Sequence, residues 1–360
     1  MQLRFTSKII LMLGVGCLLM GAAKNKPPHL DPDKISTGCA TCHRSANFRD
    51  GGGPWVCIIC HGNPQRLNVD YKKRMPEGFQ KRIGQMRDIE RQFTKLYRHP
   101  SFDVRGKHRA NEVLPELDAA APRHADCVDC HHPHFVSKEN RYVGIRGKRL
   151  GSIVANITEE YELCYRCHAD SANLPPQSTN KKYEFAATNP SFHPVEAEGR
   201  NLAVVSLIRP YREKKESNAD ISRITCGDCH GSDEQNAPRG PHGSAYEHIL
   251  VANFSTKDRE PESEYAYALC YRCHNRQSIL GNDSFKFHAL HISGSAGPTS
   301  CKTCHNSHGS QQNKYLIQFD PNIVTPNSQA QLKFEEKGIS VFRGSCYLSC
   351  HGVDHNPKTY

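Results

Sequence analysis

The sequence predicts a mostly irregular fold with sparse short helices, a small β element near the C-terminus and three internal repeats. Three observations carry that prediction. The apolar fraction is only 37% over 360 residues, with 26 Gly and 22 Pro. That is thin for a conventional side-chain core of this length. Eight cysteine pairs are each followed at once by a histidine, and these sites recur at a regular period together with further histidines.

Seven sites have two residues between the cysteines: Cys39/Cys42/His43, Cys57/Cys60/His61, Cys127/Cys130/His131, Cys164/Cys167/His168, Cys226/Cys229/His230, Cys270/Cys273/His274 and Cys301/Cys304/His305. The eighth, Cys346/Cys350/His351, has three. C-x-x-C-H is the c-type haem attachment pattern. The two thiols take the vinyl groups and the adjacent histidine becomes the proximal iron ligand. Zinc ribbons and disulfide frameworks use paired cysteines too, but neither needs a histidine directly after the second one. With 21 histidines in the chain, chance would place one there about once in 17 attempts, and it is present eight times in eight. The expected cofactor is therefore haem c, eight copies, covalently attached. Eight rigid apolar macrocycles would supply the core that the side chains do not.

Residues 1–23 carry Arg4 and Lys8, an apolar run from Ile9 to Ala23 and the small-residue sequence Gly21-Ala22-Ala23. This reads as a secretory signal peptide, too short to be a usual membrane span. Cys17, the one cysteine outside the eight sites, lies inside it in a poor lipidation context. The expected location is the periplasm, or the outer-membrane surface and beyond. The net charge of +10 suggests nucleic acid until the cofactors are counted. Loss of the leader removes Arg4 and Lys8, and each ferric haem brings two propionates against one positive charge. The mature oxidised protein is then near neutral. No nucleic-acid partner is expected, and surplus Lys and Arg have propionates to pair with.

The repeat runs as attachment site, histidine, attachment site, histidine. Three units span 57–138, 164–250 and 270–315. A single-site segment, 24–56, precedes them, and residues 316–360 hold the eighth site. Within each unit a spare histidine stands between the two sites, His99, His193 or His288, and another follows the second site, His134, His242 or His308. These six are the expected distal iron ligands. For the two remaining irons, His355 and His124 are the first choices, with His29, His108 and His291 in reserve and His132 and His248 as bystanders. Only Met75 and Met86 follow the leader, so methionine cannot be the usual sixth ligand.

The sequences LCYRCH at 163–168 and 269–274, FHPV, SCKTCHNSHGS and GPHGS resemble the doubled-CXXCH multihaem cytochromes c. The resemblance covers most of residues 39–355. It implies bis-histidine haems in a close-packed wire, with other cytochromes or an outer-membrane conduit as redox partners and self-assembly into a filament or oligomer as a further mode. The resemblance weakens at the 346–351 spacing and at the long insertion in the first unit.

Short helices are expected to end in each attachment site. A longer amphipathic helix is expected over Gly78–Arg98, where Phe79, Ile83, Met86, Phe93 and Leu96 share one face and Lys81, Arg82, Arg87, Arg91 and Lys95 the other. That basic face is either plain solvated surface or a dock for an acidic partner. Strands are expected at Tyr315–Phe319, Gln331–Phe334 and Ile339–Phe342. The expected function is electron carriage without catalysis. The rival is a multihaem reductase of a nitrogen or sulfur oxyanion, which needs one iron with an open position. A C-x-x-C-K site, which some such enzymes use, is absent.

Overall fold

The computed structural model describes residues 27–35, 38–43, 53–67, 77–81, 87–103, 108, 124–137, 141–149, 152–169, 178–201, 203–294, 297–337 and 342–360. The leader, Cys17, Met75, Met86 and the stretch 338–341 lie outside the described residues. The described chain has short helices joined by turns, four small sheets and little regular structure besides.

Seven of the eight cysteine pairs sit on a helical turn. Helices span Pro54–His61, Cys127–Cys130, Glu160–His168 and Cys226–Cys229. Single 3₁₀ turns cover Gly38–Thr41, Cys270–Arg272 and Cys301–Thr303. The spacing explains this, since residues three apart share one face of a helix. Local chemistry holds the turns. Asp129 and Asp228, each between two cysteines, accept from the backbone amides of Asp126 (2.9 Å) and Thr225 (2.7 Å), closing capping boxes.

Two antiparallel ladders tie the units together. Strand β1 (Tyr97–Arg98) of the first unit pairs with β5 (Gly243–Ser244) of the second. Strands β2 (Gly147–Arg149) and β3 (Ser152–Val154) form the hairpin. Strand β4 (Ser191–Phe192) pairs with β6 (Gly309–Ser310) of the third unit. The repeated His-Gly-Ser explains both ladders. A Cβ on Gly243 would lie 1.9 Å from the Gln92 carbonyl oxygen, and one on Gly309 would lie 1.9 Å from that of Glu184. Only glycine admits such approach. The following serines are buried and donate to the Leu250 (2.6 Å) and Ile317 (2.7 Å) carbonyls.

The fourth sheet has the order β7 (Lys333–Glu336), β8 (Gly344–Cys350), β9 (Val353–Thr359), all antiparallel. Strand β7 overlaps the expected 331–334. The stretch 315–319 forms an isolated bridge, His305 to Ile317, rather than a strand. Strands β8 and β9 were not expected, and β8 contains the eighth cysteine pair. The contiguous apolar cluster is small: Tyr161, Tyr165, Ala169, Phe185 and Val195.

The expected long helix over 78–98 is not observed. A single turn covers Glu77–Gln80, a 3₁₀ turn covers Glu90–Thr94, and β1 follows at once. Tertiary contacts decide this stretch against its periodicity. Phe93 packs edge-on to Phe102 and to His242. Lys95 bonds Asp233 at 2.6 Å, Arg91 pairs with Glu234 at 3.1 Å, and Arg87 donates to the Ala237 carbonyl at 2.6 Å. These three basic residues clamp the second unit and are not a free docking face.

Candidate functional site: eight histidine pairs

The paired cysteines form a chain of neighbours. The Cys57 thiol lies beside that of Cys127, and the Cys164 thiol beside that of Cys226. Burial pushes Cys60 up to about 11, and neighbouring Cys42 pushes the same way. Burial and then Cys167 push Cys130 up to about 12; burial and then Cys273 do the same for Cys229. Cys301 is raised by burial and by Cys270. Cys304 rises to about 12 through burial, Cys346 and Cys350. Successive sites thus approach one another alternately through their second and their first cysteines, in sequence order from Cys42 to Cys346. Buried thiols raised in this way are poor nucleophiles. All sixteen described cysteines are free of disulfides.

The histidines pair across these sites. With metal–imidazole nitrogen bonds of about 2 Å and about 1.1 Å from ring centroid to Nε2, two imidazoles trans on one metal place their centroids roughly 6.3 Å apart. The pairs are His61–His29 (5.9 Å), His43–His134 (5.9 Å), His131–His242 (6.2 Å) and His168–His99 (6.4 Å). Further along stand His230–His308 (6.2 Å), His274–His193 (6.4 Å), His305–His288 (6.5 Å) and His291–His355 (6.4 Å). Seven of these eight pairs contain the histidine that follows a cysteine pair. All six histidines nominated by the repeat register stand opposite such a motif histidine.

Hydrogen bonds turn the rings. Nδ1 of His29, His99, His230, His291 and His305 lies 2.6–2.8 Å from the carbonyl oxygens of Pro133, Pro241, His248, Phe287 and Tyr315 respectively. His193 Nδ1 bonds the Ser307 carbonyl, and His274 Nδ1 lies 2.9 Å from Ser206 Oγ. A carbonyl only accepts, so the six Nδ1 atoms that face carbonyls carry the proton and their Nε2 atoms keep the lone pair. His308 Nδ1 lies 2.9 Å from the Glu184 carboxylate instead. Burial holds the rings neutral: it is the leading cause that lowers His61, His168, His230, His274 and His288 to about 4, and His242 to about 3. Neutral imidazoles with oriented Nε2 lone pairs are the donor set an iron porphyrin takes on its two faces. Among the described residues no group of three or more His, Cys, Asp or Glu side chains is disposed to cage a metal ion. A zinc site would need such a cage.

The remaining histidines fall elsewhere. His351, the expected iron-side histidine of the eighth site, faces no other histidine among the described residues; its Nε2 lies 2.8 Å from Asp258 Oδ2. His124, expected opposite a terminal iron, stacks on His108 at 4.4 Å, too close for a metal between the rings. His132 packs on Phe135 at 4.5 Å. His248 is exposed, beside Glu247. His29 and His291, held in reserve in the sequence reading, face His61 and His355. The missed signal for His29 is its place one site before Cys39, as His99 and His193 each stand one site before a second pair. For His291 it is the i, i+3 relation to His288 on the helix His288–Ser293, which gives both rings one face.

No family model matches the chain, and no curated protein or solved structure matches it either. No helix among the described residues is long and apolar enough to cross a membrane.

Proposed function

We propose that this chain is an exported octahaem c-type cytochrome that carries electrons along a continuous line of eight bis-histidine sites. One observation carries the reading: eight histidine pairs at 5.9–6.5 Å, seven of them built on a C-x-x-C-H histidine. Haem c, when bound, supplies an iron that gains and loses one electron. The cysteines tether each macrocycle, and the paired imidazoles hold its iron from both faces. Where Nδ1 is held by a carbonyl, as in His29, His99, His193, His230, His291 and His305, the ring need not turn when the charge changes, which keeps reorganisation small. Two imidazoles also favour a lower potential than His/Met ligation. The alternating cysteine contacts keep each site beside the next, so the electron path runs in sequence order.

The same pairing favours a carrier over a reductase. An oxyanion reductase needs one position where substrate replaces a side chain, whereas each site here has two imidazoles facing each other. Redox proteins are the partners this chemistry requires. Denaturing mass spectrometry of the mature protein tests the reading, since each covalent haem adds a fixed mass. Eight are expected, and four or fewer would refute it.

A further inference from the structure

We propose that the eighth haem is held by His355 and His291, and that His351, the residue directly after Cys350, is not an iron ligand. The proposal rests on the octahaem reading and changes the identity of one ligand pair within it.

The argument begins with the spacing. In the seven C-x-x-C sites, a helical turn puts residues i and i+3 on one face. Cys346 and Cys350 instead lie on strand β8. On a strand, side chains alternate, so i and i+3 would point to opposite faces while i and i+4 share one. Three intervening residues are therefore what a strand needs to present two thiols together. The longer spacing is the extended-chain equivalent of C-x-x-C.

A change of scaffold also moves the histidine. After a helical C-x-x-C, the next residue continues the turn beneath the thiols. After Cys350 the chain reverses: Cys350 pairs with Val353, and His351 and Gly352 between them have φ of 50° and 79°. Two successive positive φ values are those of a two-residue I′ hairpin turn. His351 is thus a turn residue, and its Nε2 is engaged by Asp258, which also accepts from Thr299 Oγ1 at 3.1 Å.

The cross-strand neighbour takes its place. Leu348, midway between the two cysteines, pairs with His355 on β9. Directly opposed residues of an antiparallel pair project from the same face, so His355 shares the face of Leu348 and, two residues on, of Cys350, while the register shifts between Leu348 and Cys346. The His355 ring stands 6.4 Å from that of His291, matching the other seven pairs. His291 has its Nδ1 committed to the Phe287 carbonyl at 2.7 Å, which leaves Nε2 for a metal. The backbone of β9 is pinned there by Asn327, whose side-chain amide donates to the His355 carbonyl at 3.0 Å.

Methionine replacements in the full-length holoprotein test the assignment by spectrum and potential. His355→Met is expected to give a methionine-to-iron charge-transfer band and to raise the potential of one haem of eight. His291→Met is expected to do the same to the same haem. His351→Met is expected to leave the absorption spectrum and redox titration of the attached haems unchanged. The proposal is overturned if His355→Met titrates as the parent does, or if the new band appears in His351→Met. Should His351→Met lose one haem during attachment, the His355→Met and His291→Met spectra still decide. A parent protein with too few haems by mass would instead remove the octahaem reading, before any variant is compared.

Discussion

The backbone amide of His193 donates to the carbonyl of His308 at 2.9 Å, and that of His99 donates to the carbonyl of His242 at 3.3 Å. Each bond joins the spare histidine between the two sites of one unit to the one that follows the second site of the next. The rings they carry point to different sites. His99 faces His168 of the following unit, while His242 faces His131 of the preceding one. His193 and His308 repeat this with His274 and His230. Every internal unit therefore borrows a histidine from each neighbour. At the ends the rule runs short, and His29 and the His288/His291 pair fill in.

Replacing His29 with Ala is expected to leave one iron of eight without its second imidazole. The oxidised variant would show a high-spin resonance from one haem and bind cyanide there. His124→Ala, by contrast, should leave the spectrum unchanged. Equal spectra for the two variants would remove His29 from the site.

Glu184 accepts from Lys181 (2.7 Å), Thr179 (2.6 Å) and Asn306 (3.0 Å) as well as facing His308 Nδ1. A carboxylate on Nδ1 makes an imidazole a stronger donor and favours the ferric iron. Glu184→Gln is expected to raise the potential of the His230/His308 haem. A tenfold loss of ferric preference corresponds to about 59 mV for one electron. Spectroelectrochemical titration reads the shift, and a fall or no change would contradict it.

Glu162 is fully buried and accepts from the Thr158 and Glu159 amides at 2.7 and 3.1 Å and from Arg149. Burial opposes its charge, but these bonds outweigh it and hold the carboxyl below the usual range. Its folded pKa is thus depressed. The stability it adds is present above the unfolded carboxylate pKa of about 4.3 and is lost as pH falls through the folded value. Glu162→Ala leaves buried donors unpaired and should cost roughly 1–3 kcal/mol at neutral pH. Thermal melts at pH 7 and at low pH check both points: the variant's deficit should shrink on acidification.

Much of this was legible in the sequence where chemistry is local. C-x-x-C fixes a helical turn by itself, and Asp129 and Asp228 cap it from within the motif. The repeated His-Gly-Ser was legible as a repeat, but the close backbone approach of Gly243 and Gly309 comes from segments distant in sequence. Legibility ended where distant segments decide. The periodicity of 78–98 yields to Phe93, Arg91 and Lys95, which are drawn to the second unit. His124 is near Cys127 in sequence, but every facing pair except His288 and His305 joins different segments. The Cys346 spacing carried a strand signal that was read only as an irregular haem site.

Electron paramagnetic resonance of the fully oxidised, intact protein tests the central claim most directly. Eight bis-histidine sites predict low-spin ferric signals that integrate to eight irons, unaltered by cyanide or nitrite. A stoichiometric high-spin signal in the unmodified protein, shifted by either ligand, would mean an open iron and would contradict the account.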